Sequence, residues 1–488
     1  MTFVKKPLVE PGVAYPKINF NFRNGPSSLS VLRRLLLWAV AMLAVAGCAT
    51  LPDLKDFRRG DVQRQNREKL LDTPNVPSQR QSKRIVEKLE RAGEATLLRR
   101  HLGYIEAING PPLVVGNSAR LLIDGPATFD AMFSAIQRAR HHVNLETYII
   151  DDGVVGLRLA DLLIAKRRQG VEINIIYDSV GSILTPSDFF ERLRSNDIKV
   201  CEFNPVNPLK GRRWRINNRD HRKILIVDGE TAFTGGINIS GVYSAGSVGS
   251  RRKRASTSKE GWRDTHVQID GPAVAEFQHL FVDTWEKKCG APLAQSKFFP
   301  NPPAKGDKII SVMGSSPDDP LNLTYIVLLS AIAHAEKSVY LTMAYFVPDP
   351  QTIDTLKAAA RRGVDVKLIL PGFSDFGAVF HAGRSHYSDL LGAGVKIFEH
   401  REALLHAKTA VIDGVWSTVG STNMDWRSFL HNDEVNGIVI GEEFANEMER
   451  MFNRDLADTV PIELAKWEAR SPLLKMKEWG ARMWEYWL

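Results

Sequence analysis

Three cysteines in 488 residues, Cys48, Cys201 and Cys289, are too few for a disulfide framework and cannot build a cysteine-based zinc site. Cys201 and Cys289 could pair, which sequence does not decide, and the expectation set ahead of that is two buried free thiols. An apolar run of bilayer-spanning length is also missing: Leu35 to Ala46 is about a dozen residues, against the roughly 20 of a spanning helix. No charge sign dominates. Lys and Arg number 64 against 56 Asp and Glu, for a net +8, which favours anionic partners, either nucleic acid or an anionic membrane surface, without choosing between them. A content of 44% hydrophobic and 25% charged residues excludes a disordered or fibrous chain, and the length allows two or three domains.

What is present begins with a leader. Arg33 and Arg34 precede the apolar run, which ends Val45-Ala46-Gly47-Cys48. A basic start, a short apolar core and small residues before a cut make a secretory signal. The ending resembles a bacterial lipobox, whose cysteine becomes the lipidated first residue of the mature protein. The expectation is a leader over residues 1–47, lipidation at Cys48, and a membrane-associated protein facing the periplasm. Residues 1–32 are long for such a leader, which a later translation start such as Val31 would explain. Residues 48–105 read as a charged helical linker, either a spacer or an accessory helix. Within it Glu87, Glu90 and Glu94 alternate with Arg84, Lys88 and Arg91 as on a solvated helix face.

From residue 106 onward two halves, 106–300 and 301–488, repeat one pattern. A helix-period stretch (129–140 or 326–337) leads to an apolar strand, Val143-Asn144-Leu145-Glu146-Thr147-Tyr148 or Val339-Tyr340-Leu341-Thr342-Met343-Ala344-Tyr345. A turn, a helix ending in Arg and Gly170 or Gly363, and a second strand follow. Strand–helix alternation at this length predicts an α/β fold: a duplicated domain with two mixed, mostly parallel sheets flanked by helices, and one active site on a pseudo-twofold axis.

Each half then reaches the same string. His221-Arg222-Lys223 leads to Asp228-Gly229 and Asn238, and His406-Ala407-Lys408 leads to Asp413-Gly414 and Asn423. The offset between the halves is a constant 185 positions (406 against 221, 413 against 228). Alternate strand residues share a face, so each histidine points with its lysine. Asp-Gly is a hairpin-turn dipeptide. Imidazole can attack phosphorus or move a proton near neutral pH, and ammonium groups and amides neutralise phosphate oxygens that gain charge. One such string is weak evidence, because a lone strand histidine is usually packed core. Two at constant offset point to phosphodiester transfer.

These residues resemble the phospholipase D superfamily, and within it the bacterial cardiolipin synthases. The likeness extends from Pro111-Pro112-Leu113-Val114-Val115-Gly116-Asn117 to Ser471-Pro472-Leu473-Leu474 and includes Trp262-Arg263-Asp264-Thr265-His266, Tyr345-Phe346-Val347-Pro348-Asp349 and Asn432-Asp433-Glu434. It implies a two-step reaction without metal or cofactor. One histidine, His221 by analogy, attacks the phosphodiester, and the other, His406, serves as acid and then base; the pseudo-symmetry is equally compatible with the reverse. It also implies that Lys223, Lys408, Asn238 and Asn423 hold the phosphate oxygens and that Asp264 and Glu434 orient the histidines. Asp228 and Asp413, at the turns, have a role as much structural as electrostatic. Glu146, Tyr148 and Tyr345 are candidates for the pocket wall, with strand core as the equal alternative. The implied substrates are phospholipids, two phosphatidylglycerols giving cardiolipin and glycerol.

Two surface features remain. Arg251-Arg252-Lys253-Arg254, with Arg212, Arg213 and Arg215, forms a basic cluster suited to anionic headgroups or simply to solvent. At the C-terminus Met476, Trp479, Met483, Trp484 and Trp487 recur at helical spacing; tryptophan at this density fits an interfacial helix, and a stripe packed on the core is the expectation slightly ahead of it. The rival functions are a phospholipase D hydrolase with water as acceptor, a periplasmic phosphodiesterase or nuclease, and a non-catalytic membrane-binding lipoprotein. A lipid anchor argues against nucleic acid, and intact His and Lys in both halves argue against the non-catalytic reading.

Overall fold

Strands with helices on both faces are buried throughout, and the two strands heading the repeats behave so: five or all of six residues are buried in each. The computed structural model describes residues 50–54, 96–107, 110–207, 217–245, 261–290, 292–293, 298–319 and 321–488. The expected leader, Cys48, the alternating charges of 84–94 and the basic cluster of 212–215 and 251–254 lie outside these residues.

After α1 (Thr96–Ala107), the first half contains β1 (Val114–Ile123), α2 (Asp124–Arg138), β2 (His142–Thr147), α3 (Val154–Arg168), β3 (Glu172–Asp178), α4 (Ser187–Arg194) and β4 (Lys199–Phe203). It closes with β5 (Arg219–Asp220), β6 (Ile224–Val227), β7 (Thr231–Gly235), β8 (Thr265–Asp270) and α5 (Val274–Lys288). The second half repeats the scheme with β9 (Lys308–Ser315), α6 (Leu323–His334), β10 (Ser338–Met343), β11 (Phe346–Val347), α7 (Pro350–Arg361), β12 (Asp365–Pro371), α8 (Gly377–Arg384), α9 (Tyr387–Gly392) and β13 (Lys396–His400). It ends with β14 (Lys408–Ile412), β15 (Trp416–Gly420), β16 (Met424–Asp425), α10 (Trp426–Leu430), β17 (Asn432–Ile440), α11 (Glu442–Ala457), β18 (Thr459–Pro461), α12 (Leu464–Glu468) and α13 (Pro472–Arg482). The turn signals act as read. Asp349 caps α7 by accepting from the Gln351 and Thr352 amides, with Pro350 at the first position, and Gly170 and Gly363 take positive φ just past α3 and α7.

The α/β duplication is as expected, but the two sheets are one. Sixteen strands run in the order β18-β13-β12-β10-β14-β15-β17-β9-β1-β8-β7-β6-β2-β3-β4, with β5 paired to β17. Parallel pairing is confined to β10-β12-β13 and β2-β3-β4 along this path; the hairpins between them are antiparallel. The physical reason for the merger is the edge. β1 and β9 would each leave unpaired amides and carbonyls, and pairing them across the halves satisfies both. One hydrophobic cluster spans the seam, with Ile226 and Val267 of the first half against Val411, Val419 and Val435 of the second.

One alternative is selected and one expectation is corrected. Of a spacer and an accessory helix, α1 is an accessory helix, because its Leu97, Leu102 and Ile105 are buried with Leu54 in the second half's core. His101 there meets Ser330 at 3.1 Å and the edge of the Trp416 ring. Cys201 and Cys289 are not free thiols: they form a disulfide joining β4 to the end of α5. Closing a loop of 88 residues removes chain entropy from the unfolded state worth on the order of 4 kcal/mol.

Reduction, or Cys201→Ser, is therefore expected to lower the free energy of unfolding by about 2–4 kcal/mol in denaturant titration. An unchanged midpoint under reductant would mean that the thiols do not pair.

Candidate active site

Each histidine stands just ahead of its strand, not within it: His221, Arg222 and Lys223 precede β6, while His406 and Ala407 precede β14, which Lys408 opens. The reason is that each histidine pairs with the other half. The His221 amide donates to the Asp433 carbonyl at 2.9 Å, continuing the β5–β17 pairing, and the His406 amide donates to the Arg263 carbonyl at 2.8 Å. The side chains cross the same way. His221 Nδ1 lies 3.0 Å from both Glu434 oxygens, and His406 Nδ1 lies 2.7 Å from Asp264 Oδ2. Each carboxylate comes from the half that does not supply the histidine, and both are fully buried. Nδ1 is thereby engaged and Nε2 of each ring is left for chemistry.

The carboxylates are themselves fixed. Glu434 accepts from Ser421 Oγ at 2.5 Å and Asn432 Nδ2 at 3.2 Å, and Asp264 accepts from the Thr265 amide at 2.7 Å. The halves differ here. Gly236, the counterpart of Ser421, has no room for a side chain, which would collide with the Asp264 carboxylate. His406 also has neighbours that His221 lacks: Tyr243 Oη at 3.2 Å from Nδ1 and the Trp262 ring at 5.3 Å. Beside His221 stands Tyr148, at 5.2 Å between rings, with Lys223 Nζ 5.3 Å from its centre.

Burial sets the electrostatics. It holds the His221 imidazole well below the usual histidine range, aided by Lys223 and Lys408, and it lowers His406 against the opposing pull of Asp264. Burial brings Lys223 down to about 7 and Lys408 to about 8, and pushes Glu434 up to about 7. Both ammonium groups donate to the carbonyl of their own histidine, at 2.7 and 2.5 Å. An arriving phosphate anion would restore the charge that burial disfavours.

The structure brings His221, Lys223, His406, Lys408, Asp264 and Glu434 together, and it separates others from them. Asp228 and Asp413 are held at the hairpin turns with φ of 55° and 52°, followed by Gly229 and Gly414 at 67° and 68°, as a type I′ turn requires. Their carboxylates accept three backbone amides each, from residues 140–142 and 336–338, and so fasten the starts of β2 and β10. They do not face the histidines, which corrects their grouping with the catalytic residues. Glu146 is likewise not a pocket wall: it is fully buried, 3.7 Å from Arg222, with its carboxyl pushed up to about 7 by that burial. Strand alternation ends at Thr147, which frees Tyr148 to turn toward His221. Tyr345 stands 6.3 Å from His406, its hydroxyl donating to Asp375. Asn238 accepts from the Ile149 amide and donates to Tyr243 Oη, while the Asn423 amide nitrogen of the backbone donates to Ser428. Tyr243, Trp262 and Ser421 were not anticipated as site residues. Ser421 had a local signal, since the second half reads Gly420-Ser421 where the first reads Gly235-Gly236, and Trp262 opens one of the strings that carry the family likeness.

A family model described as "Cardiolipin synthase, PLD-like domain" matches residues 132–243 and 328–456, once in each half. Cardiolipin synthase of Geobacillus thermodenitrificans is 33% identical over 386 residues, covering 78% of this chain and 74% of its own. Cardiolipin synthase of Listeria monocytogenes serotype 4b is 33% identical over 390 residues, covering 79% and 78%. Phosphatidylserine synthase of Haemophilus influenzae shares the fold, with a TM-score of 0.60 at 12% identity over 78% of this chain and 98% of that one.

Asp264→Asn is expected to reduce kcat by about 10²–10⁴, because the imidazole tautomer is lost while the shape is kept. Asp228→Ala is expected to lower unfolding stability by about 2 kcal/mol or more and to leave kcat per folded molecule within about twofold. Steady-state kinetics beside denaturant titration separates the two. Equal kcat losses in both variants would return Asp228 to the catalytic group.

Proposed function

This chain belongs to the cardiolipin synthase family with its phospholipase D-like domain, and from that premise we infer that its two His–Lys segments carry phosphatidyl transfer through a phosphohistidine. The protein is a phosphatidyltransferase, a cardiolipin synthase. The single observation that carries the residue-level reading is the crossed pair: two imidazoles, each bound at Nδ1 to a buried carboxylate of the opposite half.

Nε2 of His221 attacks phosphorus of a phosphatidylglycerol, forming a P–N bond. The P–O bond to glycerol breaks, and that oxygen takes the proton held on His406 Nε2. A hydroxyl of a second phosphatidylglycerol then gives its proton to His406 and attacks phosphorus, and the P–N bond breaks. Cardiolipin and glycerol are the products. Lys223 and Lys408 neutralise the phosphate oxygens, assisted by Asn238 and Asn423, while Glu434 and Asp264 keep each Nδ1 protonated. Tyr148 and Tyr345 form the walls beside the two rings. The enzyme is membrane-associated, and nucleic acid is not its substrate.

The layout that goes with this reading is a leader over 1–47 with lipidation at Cys48, a linker over 48–105, and repeats over 106–300 and 301–488. The Cys201–Cys289 disulfide supports a periplasmic address, since such bonds persist in oxidising compartments. The basic cluster of 212–215 and 251–254 suits anionic headgroups.

Purified protein with phosphatidylglycerol vesicles is expected to yield cardiolipin and free glycerol, His221→Ala and His406→Ala to yield neither, and enzyme quenched in denaturing detergent at neutral to mildly alkaline pH, where a P–N bond survives, to carry phosphatidyl on His221. Phosphatidic acid as sole product would make the enzyme a hydrolase, and label on His406 would exchange the two roles. In kcat/KM, activity is expected to fall as pH rises through about 7 to 8, where Lys223 and Lys408 lose their protons in the empty site. In kcat the fall comes at higher pH, because bound phosphate favours ammonium. A kcat/KM profile flat from about pH 7 to 9 would remove the lysines from this role.

A further inference from the structure

Helix α13 is turned inside out. A helix docked on a protein shows its apolar stripe to the core, yet the side of α13 that meets the body carries Ala481 and the buried Glu478, which pairs with Arg470 at 2.5 Å and lies 3.7 Å from Arg384. At about 100° per residue, Leu473, Met476, Trp479 and Met483 fall within an arc of about 120° on the opposite side. All four are exposed, Trp479 by 66%. Exposed Lys475 and Arg482 border this arc on one edge and Lys477 on the other. The core-packed stripe expected from the sequence is thus corrected.

Two loops have the same character, and both are fastened beside the histidines. Ser182 Oγ donates to the Tyr148 carbonyl at 3.3 Å, and the loop it belongs to, between β3 and α4, is tipped by Ile183 and by Leu184, the latter 94% exposed. Asp375 accepts from the Tyr345 hydroxyl at 2.8 Å, and its loop, between β12 and α8, exposes Phe373 and Phe376. These loops follow equivalent parallel strands, so the pseudo-symmetry sets one on each side of the site. Helix α13 joins the second of them. Ala481 and Leu488 pack in a small cluster with Val347, Val379, Tyr345 and Trp426, and the Tyr486 ring lies 5.3 Å from Trp426.

We propose that α13 and the two loop tips form one interfacial face that seats the mouth of the site on an anionic phospholipid bilayer. The proposal rests on phospholipid being the substrate. Trp479, Met483, Leu184 and Phe373 enter the boundary between headgroups and acyl chains, and Lys475, Lys477 and Arg482 stay on the headgroups. Drawing a two-chain lipid out of the bilayer would expose both acyl chains to water, so the site must come to the plane of the phosphates. Seating also shuts the mouth against bulk water, which favours an alcohol acceptor over hydrolysis. Among the described residues no helix is long and apolar enough to cross a membrane.

The test uses the full chain reconstituted in phosphatidylglycerol vesicles. Leu184→Cys, Phe373→Cys and Trp479→Cys are nitroxide-labelled in turn, with Arg138→Cys, beyond the far end of β2, as control and the labelled unsubstituted chain as background. The three labels are expected to be relaxed by oxygen and shielded from a water-soluble relaxant, and the control to show the reverse. The triple variant Leu184→Ser, Phe373→Ser, Trp479→Ser is expected to lose about tenfold or more of its turnover on vesicles. It is also expected to release more phosphatidic acid per cardiolipin, and to keep its turnover on monomeric short-chain phosphatidylglycerol. Labels exposed to water would overturn the proposal. So would equal losses on both substrates, which indicate a structural role, or label–label broadening in detergent, which indicates a second copy on this face. Lipid-shielded labels on a protein that makes no cardiolipin would keep the docking face and reject the proposed reaction.

Discussion

Two imidazole–carboxylate hydrogen bonds cross between the halves of the chain, and the rest of the site is arranged to keep them. His221 meets Glu434 and His406 meets Asp264, each at 2.7–3.0 Å. Neither half alone can orient its own histidine. The crossing requires that the two halves be held to fractions of an ångström, and the fused sheet does this. The β5–β17 pairing and the backbone bonds from His221 to Asp433 and His406 to Arg263 run between the halves at the site, and the β1–β9 pairing joins the halves again farther along the sheet. Buried Arg222 and Arg263 add further ties: Arg222 bonds the carbonyls of Glu434 and Ser315, and Arg263 pairs with Asp455. Precision at the site and continuity of the sheet are one property.

That precision is obtained in a dry environment, which makes charge expensive. Without substrate the lysines sit near 7 and 8 and the histidines are pressed toward neutrality. A phosphodiester brings one negative charge among these groups, so substrate and site stabilise each other's charged forms. Preorganised donors in low dielectric are worth more than the same donors in water, which is where such sites gain their rate.

The repeat, the α/β character and the His–Lys pairs were legible because they depend on short-range patterns: strand alternation, Asp-Gly turns, glycine stops. The partnering of Asp264 and Glu434 came from family likeness, since nothing local to either residue indicates a histidine in the other half. Asp228 and Asp413 were legible as turn residues, and the hairpin carries both to the far end of the strand from His and Lys, where the structural part of their role is what remains. Sequence left the Cys201–Cys289 pair open because its partners meet only after β4 and α5 are stacked. It left core packing narrowly ahead of an outward stripe for α13 because periodicity gives the shape of a stripe but not the side on which the body lies. Tyr243 and Trp262 reach His406 through tertiary placement alone.

The crossed carboxylates also bear on how such a chain can change over generations. A two-copy assembly of a single repeat must be self-complementary, so every substitution appears twice around the same site. Joining the copies in one chain lifts that restriction, and the traces are visible: Gly236 opposite Ser421, and Tyr243 opposite Ser428, at equivalent positions with unlike side chains. One histidine has gained an aromatic neighbour and the other a hydroxyl on its carboxylate. Division of labour between twins is thus open to this protein, at the price of permanence: once each half keeps the other's histidine in register, neither can be lost, duplicated or inherited alone.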